Sequence, residues 1–232
     1  MFIGIYLLYL TILGGIMKKK TGIIFDLDGT LLDTEKLIME SFYHVFKKYK
    51  PNYILSTEEL LSFLGPPLEI SLKRYFDNCL VEEIISYYRE FNYANHELYV
   101  TIYPTVIETL EWLKKEQYPL AIVTTKYSKA VNIGLEQFDM HTYFDAIIAI
   151  DNVQKTKPNP EGILKAMEQL HVSDAIMVGD NVSDIQAGKN AGIRTVAVKW
   201  ASKGYDAMEK LKPDLRIDKM SDILKYIKEI GE

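Results

Sequence analysis

The sequence predicts an α/β protein: a doubly wound parallel sheet with a helical domain inserted after its first strand. Three observations lead there. Short β-branched and apolar runs at 23–26, 120–124, 146–150, 175–178 and 195–198 alternate with helix-length amphipathic stretches. Strands separated by helices of that length require right-handed crossovers, and such crossovers build a parallel sheet. The alternation fails only between 34 and 103, where helical periodicity runs on without a recognisable strand.

Taken in order, the chain begins with an apolar stretch, 1–16, followed by Met17-Lys18-Lys19-Lys20. A secretory signal carries its positive charge before the apolar run, and a membrane span needs about 20 apolar residues. Translation starting at Met17 is therefore the expectation, with a membrane anchor formed by 1–16 as the alternative. The first strand, 23–26, follows Gly22 and ends in Asp26-Leu27-Asp28-Gly29-Thr30. The insert carries helical patterns at 35–49, 58–63, 69–76 and 82–99, broken by the loop Gly65-Pro66-Pro67. Its many Tyr and Phe residues read as helix-packing core. Helix 106–115 then leads to strand 120–124, helix 128–138 to strand 146–150, and helix 160–170 to strand 175–178. Helix 183–191, strand 195–198, a weaker strand at 215–217 and helix 220–229 complete the pattern. The expected division is a core domain of 17–33 and 104–232 and a helical cap domain of 34–103.

At 232 residues the chain can bury a sizeable core. Lys and Arg number 27 against 32 Asp and Glu, a formal charge of −5. That acidity argues against nucleic-acid binding and means that an anionic substrate needs a local cation. Cys79 is the single cysteine. An internal disulfide and a cysteine zinc site are both excluded, which suits a cytoplasmic protein. His44, His96, His141 and His171 lack metal-ligand spacing. The expected state is a monomer or a homodimer.

Ligands of an open α/β sheet bind beyond the carboxyl ends of its strands. Four clusters fall there: Asp26 and Asp28; Thr124-Thr125-Lys126; Lys155-Thr156-Lys157-Pro158-Asn159-Pro160; and Gly179-Asp180-Asn181-Val182-Ser183-Asp184. Singly, each has an ordinary explanation as a turn or strand end. Together their chemistry is complementary. Asp26, Asp28, Asp180 and Asp184 would repel one another without a cation, and Mg²⁺ suits hard oxygen ligands and brings phosphate into the same shell. Thr124 offers a hydroxyl, the backbone near Asp26 and Thr125 offers N–H donors, and Lys157 offers a point charge. Two carboxylates on one side of a strand end can divide nucleophilic attack and proton transfer between them.

These four motifs, in this order, resemble the signature of the haloacid dehalogenase (HAD) superfamily, whose Rossmann-like core carries a helical cap after the first motif. Phe63-Leu64-Gly65-Pro66, Tyr88-Arg89-Glu90-Phe91-Asn92, Ile122-Val123-Thr124-Thr125-Lys126, Met177-Val178-Gly179-Asp180-Asn181 and Lys219-Met220-Ser221-Asp222 are similar to the PpaX-type inorganic pyrophosphatases of its phosphoglycolate-phosphatase-like branch. The resemblance runs from Thr21 to the C-terminus. It implies Asp26 as nucleophile, forming an aspartyl-phosphate, and Asp28 as acid and then base. Thr124, Thr125 and Lys157 would hold the phosphoryl group; Lys155 is a second candidate, but Lys157-Pro158 fits the motif. Mg²⁺ would lie on Asp26, the Asp28 carbonyl and Asp180, with Asp184 orienting the cluster. Gly65, Arg74 and Arg89, together with Lys73, are the expected reporters of the leaving group. Pyrophosphate is the expected substrate and 2-phosphoglycolate the alternative, followed by a sugar phosphate, including a mutase reaction. A non-enzymatic domain regulated by phosphorylation of an aspartate is the reading of a different class.

Overall fold

Six parallel strands form the main sheet of the computed structural model, which describes residues 20–200 and 205–231. In chain order the strands are β1 (Gly22–Phe25), β2 (Leu32–Asp33), β3 (Thr101–Ile102), β4 (Leu120–Val123), β5 (Ala146–Ile148), β6 (Ala175–Gly179), β7 (Arg194–Val198) and β8 (Leu215–Ile217). The main sheet runs β5-β4-β1-β6-β7-β8, while β2 and β3 pair separately. The chain thus leaves β1 in one direction through β4 and β5, then crosses back to β6 on the other side. Ile23 stands beside Leu120 on one flank and Ile176 on the other. The order reverses between β1 and β6, and a crevice opens beyond their carboxyl ends at such a switch point.

Alternation along β1 explains why its sequence reads as unbroken apolar. Ile23 and Phe25 join Ile122, Val178 and Val196 on one face of the sheet, against Leu110, Val131 and Ile223. Ile24 joins Val123 and Met177 on the other, against Ile163 and Ala166. Both faces are covered, so both parities of side chain are apolar. The covering helices are α6 (Val106–Lys115), α7 (Ser128–Gln137), α8 (Glu161–Gln169), α9 (Val182–Asn190), α10 (Asp206–Glu209) and α11 (Ile223–Gly231), numbered after five in the insert.

Those five are α1 (Glu35–Tyr49), α2 (Thr57–Ser62), α3 (Leu68–Lys73), α4 (Asn78–Ala94) and α5 (His96–Tyr99). They enclose a core of their own, built on Phe42, Phe46, Phe63, Leu72, Ile84 and Tyr88. The Phe42 and Phe63 rings stack at 3.8 Å. Ser56 and Glu59 form a reciprocal capping box that starts α2.

The structure departs from the sequence reading at several element ends. Thr101–Ile102 is a strand inside the stretch expected to be wholly helical, paired antiparallel as Leu32 with Ile102 and Asp33 with Thr101. Two residues are too short a run to show an alternation, so pattern could not reveal them. The helix expected at 82–99 is two helices, split at Asn95, which caps α4 and precedes α5. Asp26 and Thr124 lie just beyond their strands. The stretch 1–16, with its start-site and anchor readings, lies outside the described residues. Among those described, no helix is long and apolar enough to cross a membrane.

Candidate active site

The catalytic candidates converge at the switch point because the backbone beyond each strand is tightly pinned. The Asp26 N–H donates to Val178 O at 2.9 Å, extending the ladder by one residue and setting the carboxylate at the sheet's edge. Asp26 is 6% exposed. Its Oδ1 accepts the Leu27 N–H at 2.8 Å and lies 3.0 Å from Lys157 Nζ. The chain then turns on Leu27 O, which accepts both Leu31 N–H and Leu32 N–H. Gly29, at φ +79°, lies against Asp180; a Cβ here would sit 2.4 Å from Asp180 Oδ2, so the turn admits only glycine. The same turn presents the Thr30 hydroxyl to Asp180 Oδ1 at 3.0 Å.

Asn181 caps α9, and its N–H donates to Asp184 Oδ2 at 2.9 Å. Asp184 Oδ1 is 2.6 Å from Lys157 Nζ. Lys157 also donates to Val123 O at 3.0 Å, so its ammonium bridges three oxygens in a nearly closed site. Lys155 remains exposed.

Asp26, Asp180 and Asp184 each bring a carboxylate oxygen within 4.8 Å of the others. One buried ammonium cannot balance three buried carboxylates. Burial pushes Asp26 up to about 7, against the pull of Lys157 and with repulsion from Asp184 added. Asp180 is held well above the ordinary carboxylate range by burial, then by Asp184 and Asp26. Burial alone would lower Lys157, but Asp184 and Asp26 outweigh it and hold the ammonium above its usual value. A cluster of hard oxygen donors with excess negative charge fits a divalent cation of the Mg²⁺ kind.

Asp28 faces the cleft, with Lys126 Nζ 2.7 Å from its Oδ1. Thr124 is buried, and its Oγ1 accepts the Lys126 N–H at 3.2 Å. Phe42, Gly65, Tyr88, Arg89 and Asn92 line the helical side, facing Asp26, Asp28, Thr124 and Lys126. The loop at Gly65 docks onto the sheet side. Gly65 O accepts the Thr125 hydroxyl at 3.0 Å and Leu64 O accepts Asn181 Nδ2 at 3.4 Å. The Arg89 guanidinium lies 3.8 Å from the centroid of the Tyr127 ring.

A model of the haloacid dehalogenase-like hydrolase family matches residues 23–198. The chain belongs to this family. Among curated relatives, pyrophosphatase PpaX of Bacillus cereus is 45% identical over 204 residues, 87% of this chain and 94% of that one. The enzyme of the same name from Bacillus anthracis is 43% identical over 217 residues, 93% of this chain and 99% of its own. A solved haloacid dehalogenase-like hydrolase from Streptococcus pneumoniae superposes with a TM-score of 0.79 at 28% identity, covering 90% of this chain and 99% of that one. A predicted phosphoglycolate phosphatase from Haemophilus somnus does so at 0.77 and 25%, covering 90% and 99%.

As a haloacid dehalogenase-like enzyme, the chain gathers Asp26, Asp28, Thr124, Lys157, Asp180, Asp184, Gly65 and Arg89 around one crevice. Thr125 also reaches it, with its hydroxyl bonded to the Gly65 loop. Arg74 does not arrive. Its guanidinium binds Ser62 and Ser71 and lies against the Phe63 and Tyr75 rings, outside the cleft lining. Lys73 pairs with Glu69 on an exposed helix face. Lys126, Thr30 and Asn181 fall within the clusters named from the sequence, which assigns none of them a role of its own. Lys126 sat in view beside Thr124-Thr125, but only the fold shows that its partner is Asp28.

Proposed function

We propose that this enzyme hydrolyses a small phosphate compound by way of an aspartyl-phosphate on Asp26, with inorganic pyrophosphate as its substrate. The observation that carries the proposal is the Asp26 carboxylate itself. It is clamped by the Leu27 N–H and Lys157, faces the cleft, and has Asp28 beside it. The PpaX names of the relatives support pyrophosphate. The name of the Haemophilus structure supports 2-phosphoglycolate as the second reading.

In the proposed cycle an Asp26 oxygen attacks phosphorus. The bond from phosphorus to the bridging oxygen breaks, and Asp28 gives that oxygen its proton. Water then attacks the phosphoryl group and passes a proton to Asp28. The bond to Asp26 breaks, restoring the carboxylate and releasing phosphate. The Thr124 hydroxyl and Lys157 hold the transferred group's oxygens. Asp26, Asp180 and the Asp28 carbonyl would hold Mg²⁺, with Asp184 orienting them. That ion supplies positive charge against the carboxylate and phosphate.

The division into a core of 17–33 and 104–232 and a cap of 34–103 is part of this reading, the cap excluding water from the cleft. A cytoplasmic setting accompanies it, consistent with the exposed, unpaired Cys79. A phosphorylated regulator would have no use for a proton-transfer partner such as Asp28 beside Asp26, or for a lid.

The test is phosphate release with Mg²⁺, comparing kcat/KM for pyrophosphate, 2-phosphoglycolate and a panel of sugar phosphates. Pyrophosphate is expected to rank first, and preference for any other compound would overturn the substrate. Asp26→Asn should abolish turnover with the fold retained; turnover that survives it would remove Asp26 as the nucleophile.

A further inference from the structure

Two cationic side chains line the cleft among the described residues, Arg89 and Lys126, and their positions are unequal. Lys157 is held beside Asp26, Asp184 and Val123 O, where it serves the nucleophile and the transferred group and not the leaving end. Arg74 and Lys73 lie outside the cleft. Arg89 reaches the cleft with its guanidinium laid on Tyr127. Lys126 is different. Its ammonium meets a single carboxylate, Asp28, at 2.7 Å, and its side chain is 11% exposed into the cleft. Its backbone is fixed at both ends of the residue, through its N–H on Thr124 Oγ1 and through Ile150 N–H donating to its carbonyl. The stem is therefore anchored and only the ammonium can change partners.

We propose that Lys126 is the leaving-group cation, binding the anionic portion of the substrate that departs after the bridging oxygen breaks from phosphorus. This rests on the reading of Asp26 as nucleophile and Asp28 as the proton donor to the bridging oxygen. Since Lys126 contacts Asp28, its ammonium stands where that oxygen and its neighbours must lie. A substrate whose leaving portion carries anionic oxygens draws the ammonium off Asp28, and Asp28 is then left facing the bridging oxygen. A neutral leaving group offers no such exchange. The substrate class this selects is a phosphate compound with a second anionic group close to the scissile bond: the second phosphate of pyrophosphate or the carboxylate of 2-phosphoglycolate.

The test compares Lys126→Met, Lys126→Gln and Lys126→Arg with the unaltered enzyme on pyrophosphate, 2-phosphoglycolate and p-nitrophenyl phosphate, whose leaving group has no second anion. A charge-assisted hydrogen bond to phosphate predicts a loss in kcat/KM of about 100-fold for pyrophosphate in Lys126→Met. The loss on p-nitrophenyl phosphate should stay below about 10-fold, reflecting only disturbance of Asp28. Lys126→Arg should recover part of the difference, and Lys126→Gln, which keeps a polar contact to Asp28, should show the same selectivity as Met. Equal losses on all three substrates, or no loss at all, would overturn the inference. If the unaltered enzyme cleaves 2-phosphoglycolate but not pyrophosphate, the substrate reading fails. A selective loss on 2-phosphoglycolate over p-nitrophenyl phosphate would then still support Lys126 in this role.

Discussion

Asp26 and Asp28 are the same residue type two positions apart, yet the fold gives them different surroundings. Asp26 is buried against Lys157 and the Leu27 N–H, while Asp28 keeps a side-chain exposure of 23% and pairs with Lys126. The first environment fixes one carboxylate in a single orientation, as a nucleophile requires. The second leaves its neighbour access to whatever enters the cleft. Asp28→Asn is therefore expected to slow both formation and breakdown of the proposed phosphoenzyme, by about 100-fold or more. With p-nitrophenyl phosphate, which needs no proton on its leaving oxygen, formation should recover and breakdown should not. Rapid-quench trapping should then show labelled enzyme accumulating. Unchanged breakdown would remove Asp28 as the base. The chemistry-bearing residues were legible from the sequence because their types and order are unusual together. Lys126 was not, since nothing local tells a strand-end lysine which carboxylate it will meet.

The strands of the sheet were readable because both faces are covered, so that each is a short apolar run such as Ile23-Ile24-Phe25. The helices α1 and α4 were readable from their amphipathic period. Part of what escaped was set by contacts distant in sequence. β3 exists because Thr101 and Ile102 pair with Asp33 and Leu32. Arg74 escaped for a local reason: its guanidinium turns back onto Ser71 and Ser62, which no sequence pattern distinguishes from reaching into the cleft. The loop at Gly65-Pro66-Pro67 was evident as a loop, but its docking on Thr125 and Asn181 was not. That docking makes Gly65 a strict requirement. It adopts φ +97°, and a Cβ would lie 2.1 Å from Asn181 Nδ2. The amide could rotate aside, but the left-handed backbone would remain strained by about 1–3 kcal/mol. Gly65→Ala should accordingly loosen the helical unit over the cleft. We expect a roughly tenfold fall in kcat/KM, corresponding to about 1.4 kcal/mol, with little change in the melting of the sheet. Full activity in this variant would show that the loop's seat is not needed for turnover.

At the scale of the whole molecule, the chain stores an electrostatic cost at one end of its sheet. Asp26, Asp180 and Asp184 share one buried ammonium, and burial raises Asp26 from 3.8 to about 7. Between those two values the folded, metal-free chain holds a proton that the unfolded chain has already lost. The stability it represents is fully present below 3.8 and is lost as pH rises through about 7, an amount of up to about 4 kcal/mol. Asp180, shifted in the same direction by burial and its acidic neighbours, reinforces the trend. A divalent cation acts oppositely, because it binds the carboxylates only once they have given up their protons. Other titrating groups also move stability with pH, but they contribute equally with and without the ion, so the increment due to Mg²⁺ isolates the cluster. Thermal melts should show Mg²⁺ raising the melting temperature several degrees more at pH 7.5 than at pH 5.5, relative to chelator at each pH. Removing a carboxylate with Asp180→Asn should flatten both dependences. An equal Mg²⁺ increment at the two pH values would mean that the ion stabilises the protein somewhere other than these three carboxylates.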